Sequence, residues 1–413
     1  MSRHDGLSQW HTTVSTHLPH LSRTHAYGLA VWSYGMVVAQ SCGITTVAAL
    51  LAALLNQSES TVRQRLREWC YDAKDKRGTK RHDVHVPSCF APLLRWVLAW
   101  WPPDERRLVL AMDATTLGQR FTVLVISVVY RGCAIPVAWH LVVATRKGTW
   151  RPHWEALFDH LQPSVPIDWT VLVLADRGLY ARWLFQHIVS QGWHPFLRIN
   201  VGGQVRPVGA ATFRPLATVV PLVGTAWSGA VTCFVTQEAQ LPCTLLARWD
   251  AGYTEPWLIV TDLAPTNADA AWYGMRTWIE GGFKDCKRGG WQWHQTKMTD
   301  PARAARLWLA IAVATLWVVS VGGAAEVTLC ASSLDALPEV HVARRRVTQR
   351  AQPRLLSCFR RGIVTILAAL LRGERLPCGR LLPEPWSSDP PAVAARTPVH
   401  RALVHAIPRH TYP

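Results

Sequence analysis

Apolar residues recur at helical spacing in the first quarter of the chain, from about Tyr27 to Trp101. Three segments carry this pattern, and polar residues separate them: AYGLAVWSYGMVVAQ, TTVAALLAALL and STVRQRLREW. A repeat of about 3.6 residues is typical of amphipathic helices. We therefore predict a helical domain over residues 1–103.

The third of these segments carries Arg63, Arg65 and Arg67 after a short turn. A basic helix that follows another helix closely is compatible with a helix-turn-helix domain that reads DNA. Alternating arginines are also typical of an ordinary solvated helix face. Both interpretations stay open, and we expect the domain over residues 1–103 to bind DNA.

The pattern changes to strands after the segment WPPDERR, which ends at Arg107. Three β-rich runs follow in succession, RLVLAMDAT, RFTVLVISVVYRG and CAIPVAWHLVVAT, which predicts an antiparallel meander. Two helix-strand pairs come next, so the order is βββαβαβ. We predict the first part of a mixed α/β core over residues 104–200.

Short β runs separated by Gly and Pro dominate residues 201–263, which predicts a β-rich insertion. Helical patterns resume over residues 264–325, so the α/β core is expected to continue there. Residues 326–413 form a basic, proline-rich C-terminal region. The predicted core is therefore discontinuous in sequence.

One apolar stretch within the second part of the core, Leu307 to Val321, suggests a membrane span by composition. It is shorter than the roughly 20 residues that a span needs. Arg303 and Arg306 also lie directly before it. We predict a buried core helix and no membrane.

The composition is that of a globular protein with an anionic partner. Of the 413 residues, 49% are hydrophobic and 17% are charged, which excludes a disordered chain. The 44 Lys and Arg residues exceed the 27 Asp and Glu residues and give a net charge of +17. Such a charge attracts DNA, RNA or anionic lipid and by itself names no function.

Cysteine usage indicates the compartment. The ten cysteines include no C-x-x-C pair, and the polar N-terminal stretch MSRHDGLSQW does not resemble a signal peptide. We expect a reduced, cytoplasmic setting.

Two acidic residues end apolar strand patterns: Asp113 closes LVLAMD, and Asp176 closes VLVLAD. Both carboxylates are therefore expected at one edge of the sheet. Carboxylates brought together repel each other unless a cation lies between them, and oxygen ligands suit Mg²⁺ or Mn²⁺. Two unrelated strand-end aspartates would show the same pattern.

The segment YGMRTWIEGGFKDCK places Tyr273, Arg276, Glu280 and Lys287 at the spacing Y-x2-R-x3-E-x6-K. On one continuous helix, at about 100° per residue, these four side chains fall within an arc of about 60°. The carboxylate would complete a metal site, and the phenol, guanidinium and ammonium would donate to phosphate oxygens. An amphipathic helix with a solvated charged face is the alternative.

These motifs together resemble those of bacterial insertion-sequence transposases of the DDE type, which have an RNase H-like core and a Y-R-E-K signature. The resemblance rests on MDATT around Asp113, ADRGLY around Asp176, the β-rich insertion and the full signature spacing. It spans most of the chain. It implies an α/β fold, with an RNase H-like mixed β-sheet flanked by helices.

The resemblance also implies the chemistry. Asp113, Asp176 and Glu280 would bind two Mg²⁺ or Mn²⁺ ions for hydrolysis of phosphodiesters at the ends of the element, followed by strand transfer into target DNA. Tyr273 and Arg276, with Lys287, would bind the DNA phosphates. The expected partner is double-stranded DNA, both terminal inverted repeats and target, bound by a dimer.

Two other functions fit the same residues. A nuclease on this fold would use the same three carboxylates without strand transfer. A non-catalytic DNA-binding remnant would keep the fold and the basic surface. The sequence alone does not separate these alternatives.

Overall fold

The computed structural model describes residues 3–76, 81–145, 148–326 and 356–386. The α-helices in these ranges are α1 (Arg3–His17), α2 (Arg23–Ala39), α3 (Ile44–Leu55), α4 (Glu59–Trp69), α5 (Phe90–Ala99), α6 (Arg151–Leu161), α7 (Arg182–Ser190), α8 (Trp278–Lys284), α9 (Pro301–Glu326) and α10 (Cys358–Arg372). The strands are β1 (Arg107–Leu117), β2 (Phe121–Tyr130), β3 (Cys133–Val143), β4 (Thr170–Ala175), β5 (His194–Arg198), β6 (Gln204–Pro207), β7 (Arg214–Pro215), β8 (Ala226–Cys233), β9 (Leu241–Arg248) and β10 (Trp257–Thr261).

All ten of these strands form one mixed sheet, in the order β3-β2-β1-β4-β5-β10-β9-β8-β6-β7. The first three pair antiparallel as a meander, whereas β4 lies parallel to β1 and β5 lies parallel to β4. Helices flank this sheet. The predicted mixed α/β core, which begins with an antiparallel meander, is confirmed, and the two strands that follow the meander are parallel to β1.

The strands of residues 201–263 extend the core sheet. Strand β10 pairs antiparallel with β5, and Val260 lies opposite Leu197. The backbone N–H of Ile199 also donates to the Leu258 carbonyl at 2.8 Å. The β-rich character of this segment agrees with its sequence pattern, and its strands continue the sheet beyond β5.

The N-terminal helices share their apolar core with the helices over the sheet. The ring of Trp10 in α1 stacks on Trp317 in α9, with ring centroids 4.1 Å apart. Helix α1 was not predicted, although Leu7, Trp10 and Val14 are buried and recur at helical spacing. The predicted helices from Tyr27 onward correspond to α2, α3 and α4.

Helix α9 is the predicted core helix. By length and composition it could cross a membrane, but 94% of its most apolar stretch is buried inside the fold. It packs against α10, β3 and α2. The Arg306 side chain at its start is 7% exposed and forms ion pairs with Asp72 at 2.7 Å and Asp83 at 3.0 Å. Arg306 thereby ties α9 to the segment after α4.

The described part of the C-terminal region returns to the core. Helix α10 packs along α9, and Trp386 contacts the Trp272 ring edge-on at 4.6 Å. Helix α10 was not predicted from the sequence. The basic, proline-rich region was predicted from residue 326 onward. Much of it lies outside the described residues, namely 327–355 and 387–413.

Candidate active site

The register of β1 and β4 brings the two predicted aspartates side by side. The last pair in this parallel ladder is Met112 opposite Ala175. Asp113 and Asp176 each come directly after this pair in the sequence. Neighbouring strands lie about 4.8 Å apart. Asp176 follows the end of β4, as predicted, but Asp113 lies within β1, because β1 continues to Leu117 in its pairing with β2.

Both aspartates are oriented by the backbone that follows them. One oxygen of Asp113 accepts a hydrogen bond from the Ala114 N–H at 2.7 Å, and one oxygen of Asp176 accepts from the Arg177 N–H at 2.6 Å. Desolvation raises the pKa of the Asp113 carboxyl, although the Arg276 guanidinium opposes this effect. Each carboxylate keeps its second oxygen for another partner.

The segment that carries Glu280 is not the single continuous helix that the spacing predicts. Residues Ala270–Thr277 form a 3₁₀ helix, α8 follows, and Asp285–Gly289 form a π-helical turn. Lys287 has non-helical φ and ψ angles of −86° and −110°. The projection of four side chains onto one stripe is therefore wrong, because the helix changes type on both sides of Glu280.

A glycine lets α8 lie close to β3. A Cβ atom added at Gly282 would lie 2.9 Å from the Ala134 Cβ and 3.3 Å from the Ala134 carbonyl oxygen. Contacts under about 3 Å are not tolerated between such atoms. Gly282 thus allows the close approach between β3 and the helix that carries Glu280.

Arg276 lies among the three carboxylates. Its Nη2 is 2.6 Å from Asp113 Oδ2 and 3.6 Å from Asp176 Oδ2, and its Nη1 donates to Glu280. The side chain is 9% exposed. Burial disfavours its charge, but Asp113 and the other acidic neighbours outweigh this and raise the pKa of Arg276. One buried cation therefore holds Asp113, Asp176 and Glu280 together.

Tyr273 is buried at the same place, with 4% of its surface exposed. Its hydroxyl donates to the Ala175 carbonyl at 3.3 Å, directly before Asp176. Desolvation raises the pKa of Tyr273, so the phenol stays protonated. In this structure the hydroxyl supports the end of β4.

Lys287 reaches β1 from the π-helical turn. Its Nζ donates to Thr115 Oγ1 at 2.8 Å, and desolvation lowers the pKa of Lys287. Sequence reasoning missed Thr115. The signal was the alternation of a strand, because Thr115 lies two residues after Asp113 and so projects from the same face of β1.

The donor set fits a divalent cation once Arg276 moves. Among the described residues, no group of three His, Cys, Asp or Glu side chains is close enough to hold a metal ion as it lies. Nevertheless, a single nitrogen of Arg276 contacts both Asp113 and Asp176, so one cation can reach both carboxylates. The buried Nε of Arg276 has no hydrogen-bond partner among the described residues, so this position does not satisfy the guanidinium fully.

Comparison with known families identifies the core. Residues 105–317, slightly more than half of the 413 residues, match the family described as "Transposase DDE domain". The chain belongs to this family. The DDE domain contains all ten strands, helices α6 to α8 and most of α9, together with Asp113, Asp176 and Glu280.

Among solved structures, this chain is similar to piggyBac transposase in a cryo-EM synaptic complex with hairpin DNA. The sequence identity is 11% and the TM-score is 0.35. The similarity covers 71% of this chain and 64% of that chain, so the chain spans less than two thirds of the structure it matches. Comparison with curated protein sequences gives no match.

Proposed function

We propose that this chain is a DNA transposase of an insertion sequence, with the Y-R-E-K signature that its sequence resembles. The observation that carries the proposal is the convergence of Asp113, Asp176 and Glu280 on one guanidinium. Membership of the DDE domain family supports the same activity. The enzyme hydrolyses phosphodiesters at the ends of the element and then transfers the strand into target DNA, by a cut-and-paste route.

Asp113, Asp176 and Glu280 would hold two Mg²⁺ or Mn²⁺ ions, which supply Lewis-acid activation of the phosphodiester and of the attacking oxygen. Arg276 lies where a cation between the two aspartates would lie. Its side chain therefore turns toward the DNA in the working enzyme, where its fork of N–H donors suits phosphate oxygens.

Lys287 is the second phosphate ligand in this proposal. Its ammonium group has a single side-chain partner among the described residues, the Thr115 hydroxyl, so two of its three donors are available to DNA. Tyr273 acts as a positioning residue, because its buried hydroxyl contacts the Ala175 carbonyl. This role replaces the phosphate contact expected from the signature.

The remaining parts of the proposal concern the whole protein. Residues 1–103 bind DNA, 104–200 and 264–325 form the catalytic core, 201–263 form the insertion, and 326–413 form a basic C-terminal region. A dimer pairs two terminal inverted repeats of double-stranded DNA and joins them to the target. The reaction takes place in the cytoplasm, at the nucleoid.

The test uses a linear duplex that carries the DNA flanking this gene on both sides, together with a supercoiled target plasmid and Mg²⁺. The wild-type protein is expected to give joined products. Asp113→Asn, Asp176→Asn and Glu280→Gln are expected to bind the duplex without cutting it. Asp168→Asn, at an exposed ion pair with Arg106, is the matched control and should retain activity.

Each other outcome has a meaning of its own. Cleavage by the wild-type protein without joined product would indicate a nuclease. Binding without Mg²⁺-dependent cleavage would indicate a DNA-binding remnant. Cleavage by the three carboxylate variants at the wild-type rate would show that the catalytic assignment is wrong.

A further inference from the structure

A basic cleft of about 600 Å³ lies between the N-terminal helices and the segment that follows the signature. Four cationic residues line it: Arg63 and Arg67 of α4, Lys297, and Arg303 at the start of α9. No Asp or Glu is among the described residues that line it. The residues that line the cleft therefore carry positive charge and no carboxylate.

Three of the four cations are free to meet a ligand. Arg63 and Arg67 lie one helical turn apart on α4, so their exposed side chains share one face. Neither they nor Lys297 forms an ion pair within the described ranges. Arg303 differs, because it pairs with Asp75 at 3.0 Å and lies over the Tyr71 ring at 4.4 Å.

The two walls of the cleft are held in place by hydrogen bonds. Arg120, in the turn between β1 and β2, donates to the carbonyls of Thr296 and Met298 on either side of Lys297. On the opposite wall, the Cys42 N–H donates to the Trp291 carbonyl at 2.7 Å. These hydrogen bonds fix the backbone of both walls. Less conformational entropy is therefore lost when a ligand binds.

The cleft begins beside the candidate active site. Gln292 lines it, and the backbone N–H of Gln292 donates to the Lys287 carbonyl at 2.7 Å. Lys287 in turn contacts Thr115, two residues beyond Asp113. Gln292 and Lys287 thus connect the wall of the cleft to the strand that carries Asp113.

We propose that the basic cleft binds the phosphate backbone of the DNA duplex next to the phosphodiester that reacts. Regularly spaced negative charges along an extended polymer match exposed cations that form no ion pair within the described residues and lie on two facing walls. Arg63, Arg67 and Lys297 contact phosphates and so position the duplex, without reading its sequence. The proposal rests on the proposed function for its substrate, DNA.

The test compares two triple variants that each remove three positive charges. The cleft variant is Arg63→Gln/Arg67→Gln/Lys297→Gln. The control is Arg106→Gln/Arg372→Gln/Arg375→Gln, at exposed positions outside the cleft. Binding of a fluorescein-labelled random-sequence duplex is titrated without Mg²⁺ over a range of KCl concentrations, and thermal unfolding checks that both variants fold.

Each lost phosphate contact lowers the salt dependence of binding, d log K/d log[KCl], by about 0.9. We expect the magnitude of this slope to fall by about 2 to 3 in the cleft variant and by less than about 1 in the control. An equal loss in both variants, or none in the cleft variant, would overturn the proposal.

The binding assay also separates this proposal from the proposed function. If the wild-type protein bound no DNA, both would fail. If binding depended on the cleft but the wild-type protein neither cut nor joined the flanking DNA, the cleft would stand and the transposase function would fail. If it cut and joined DNA while the cleft variant bound like the control, only the cleft proposal would fail.

Discussion

The carboxylate cluster and the basic cleft lie next to each other, but their charges differ in burial and in pairing. In the cluster, three partly buried carboxylates surround the Arg276 side chain, which is 9% exposed. In the cleft, Arg63, Arg67 and Lys297 are exposed and have no acidic partner among the described residues. A buried charge must be paired, whereas an exposed one stays solvated at little cost.

This difference separates two kinds of binding site. The cluster already contains a cation, so a ligand must replace ion pairs that are already formed. The cleft contains unpaired cations, so a ligand adds an interaction. Substitutions within the cluster should therefore reduce DNA cleavage more than substitutions of the residues that support it.

Removing the cation should affect the cluster most. Arg276→Ala leaves Asp113, Asp176 and Glu280 without a compensating charge, so we expect the Tm to fall and cleavage to drop by about 100-fold or more. Mg²⁺ should raise the Tm of the variant more than that of the wild-type protein, because it replaces the lost charge. Calorimetry with and without Mg²⁺ measures this, and an equal Mg²⁺ effect in both proteins would contradict the account.

Moving α8 should have the next largest effect. Gly282→Ala places a Cβ 2.9 Å from the Ala134 Cβ, so we expect a loss of about 1–3 kcal/mol in the free energy of unfolding. Cleavage should fall about tenfold, because a displaced Glu280 no longer fits the cluster. Gly274→Ala is the control, since its Cβ would meet only Trp257 at 3.7 Å. Equal behaviour of the two variants in urea denaturation would argue against a close approach at Gly282.

Tyr273→Phe should have a smaller effect. It removes the hydrogen bond to the Ala175 carbonyl, which contributes about 1 kcal/mol to the free energy of unfolding. We expect cleavage to slow severalfold and DNA affinity to stay unchanged, because the hydroxyl is buried. A binding titration checks this, and a weaker affinity with unchanged stability would instead support direct contact between Tyr273 and DNA.

Asp285, in the π-helical turn, should affect cleavage least and show a pH effect on stability. Burial raises its pKa from 3.8 to about 7, although Arg360 opposes the shift. The folded state therefore binds the proton more tightly than the unfolded state, and stability is lost as the pH rises from about 4 to 7. Asp285→Asn removes this loss.

The gain in Tm from Asp285→Asn, relative to the wild-type protein, should be larger at pH 8 than at pH 5. Thermal unfolding at both values measures the difference. The same Tm difference at both pH values would show that Asp285 ionises in the folded state as it does in the unfolded chain.

Local patterns were sufficient to predict the core strands and the neighbourhood of the two aspartates. Apolar runs that stop at Asp113 and Asp176 marked the edge of the sheet. The spacing could not show that β1 continues past Asp113, because that extension depends on pairing with β2. The parallel register of β1 with β4 is likewise a long-range property.

The geometry around Glu280 depended on contacts that the sequence does not display. Arg276 and Glu280 meet, and Tyr273 and Lys287 contact β4 and β1, but these residues lie on a 3₁₀ helix, α8 and a π-helical turn. Gly282 lies against Ala134 of β3, a contact that the signature spacing does not show. Helices α1 and α10 were not predicted for a different reason. Their apolar residues recur at helical spacing, but α1 lies in a polar segment and α10 lies in a basic, proline-rich region.

Metal binding by Asp113, Asp176 and Glu280 is tested most directly by counting the bound ions. Mn²⁺ binding is measured by electron paramagnetic resonance in the presence of duplex DNA, for the wild-type protein, Asp113→Asn, Asp176→Asn, Glu280→Gln and the control Asp168→Asn. We predict about two bound ions per chain for the wild-type protein and the control, and a lower count or affinity for each of the other three variants. Equal Mn²⁺ binding by all five proteins would contradict the account.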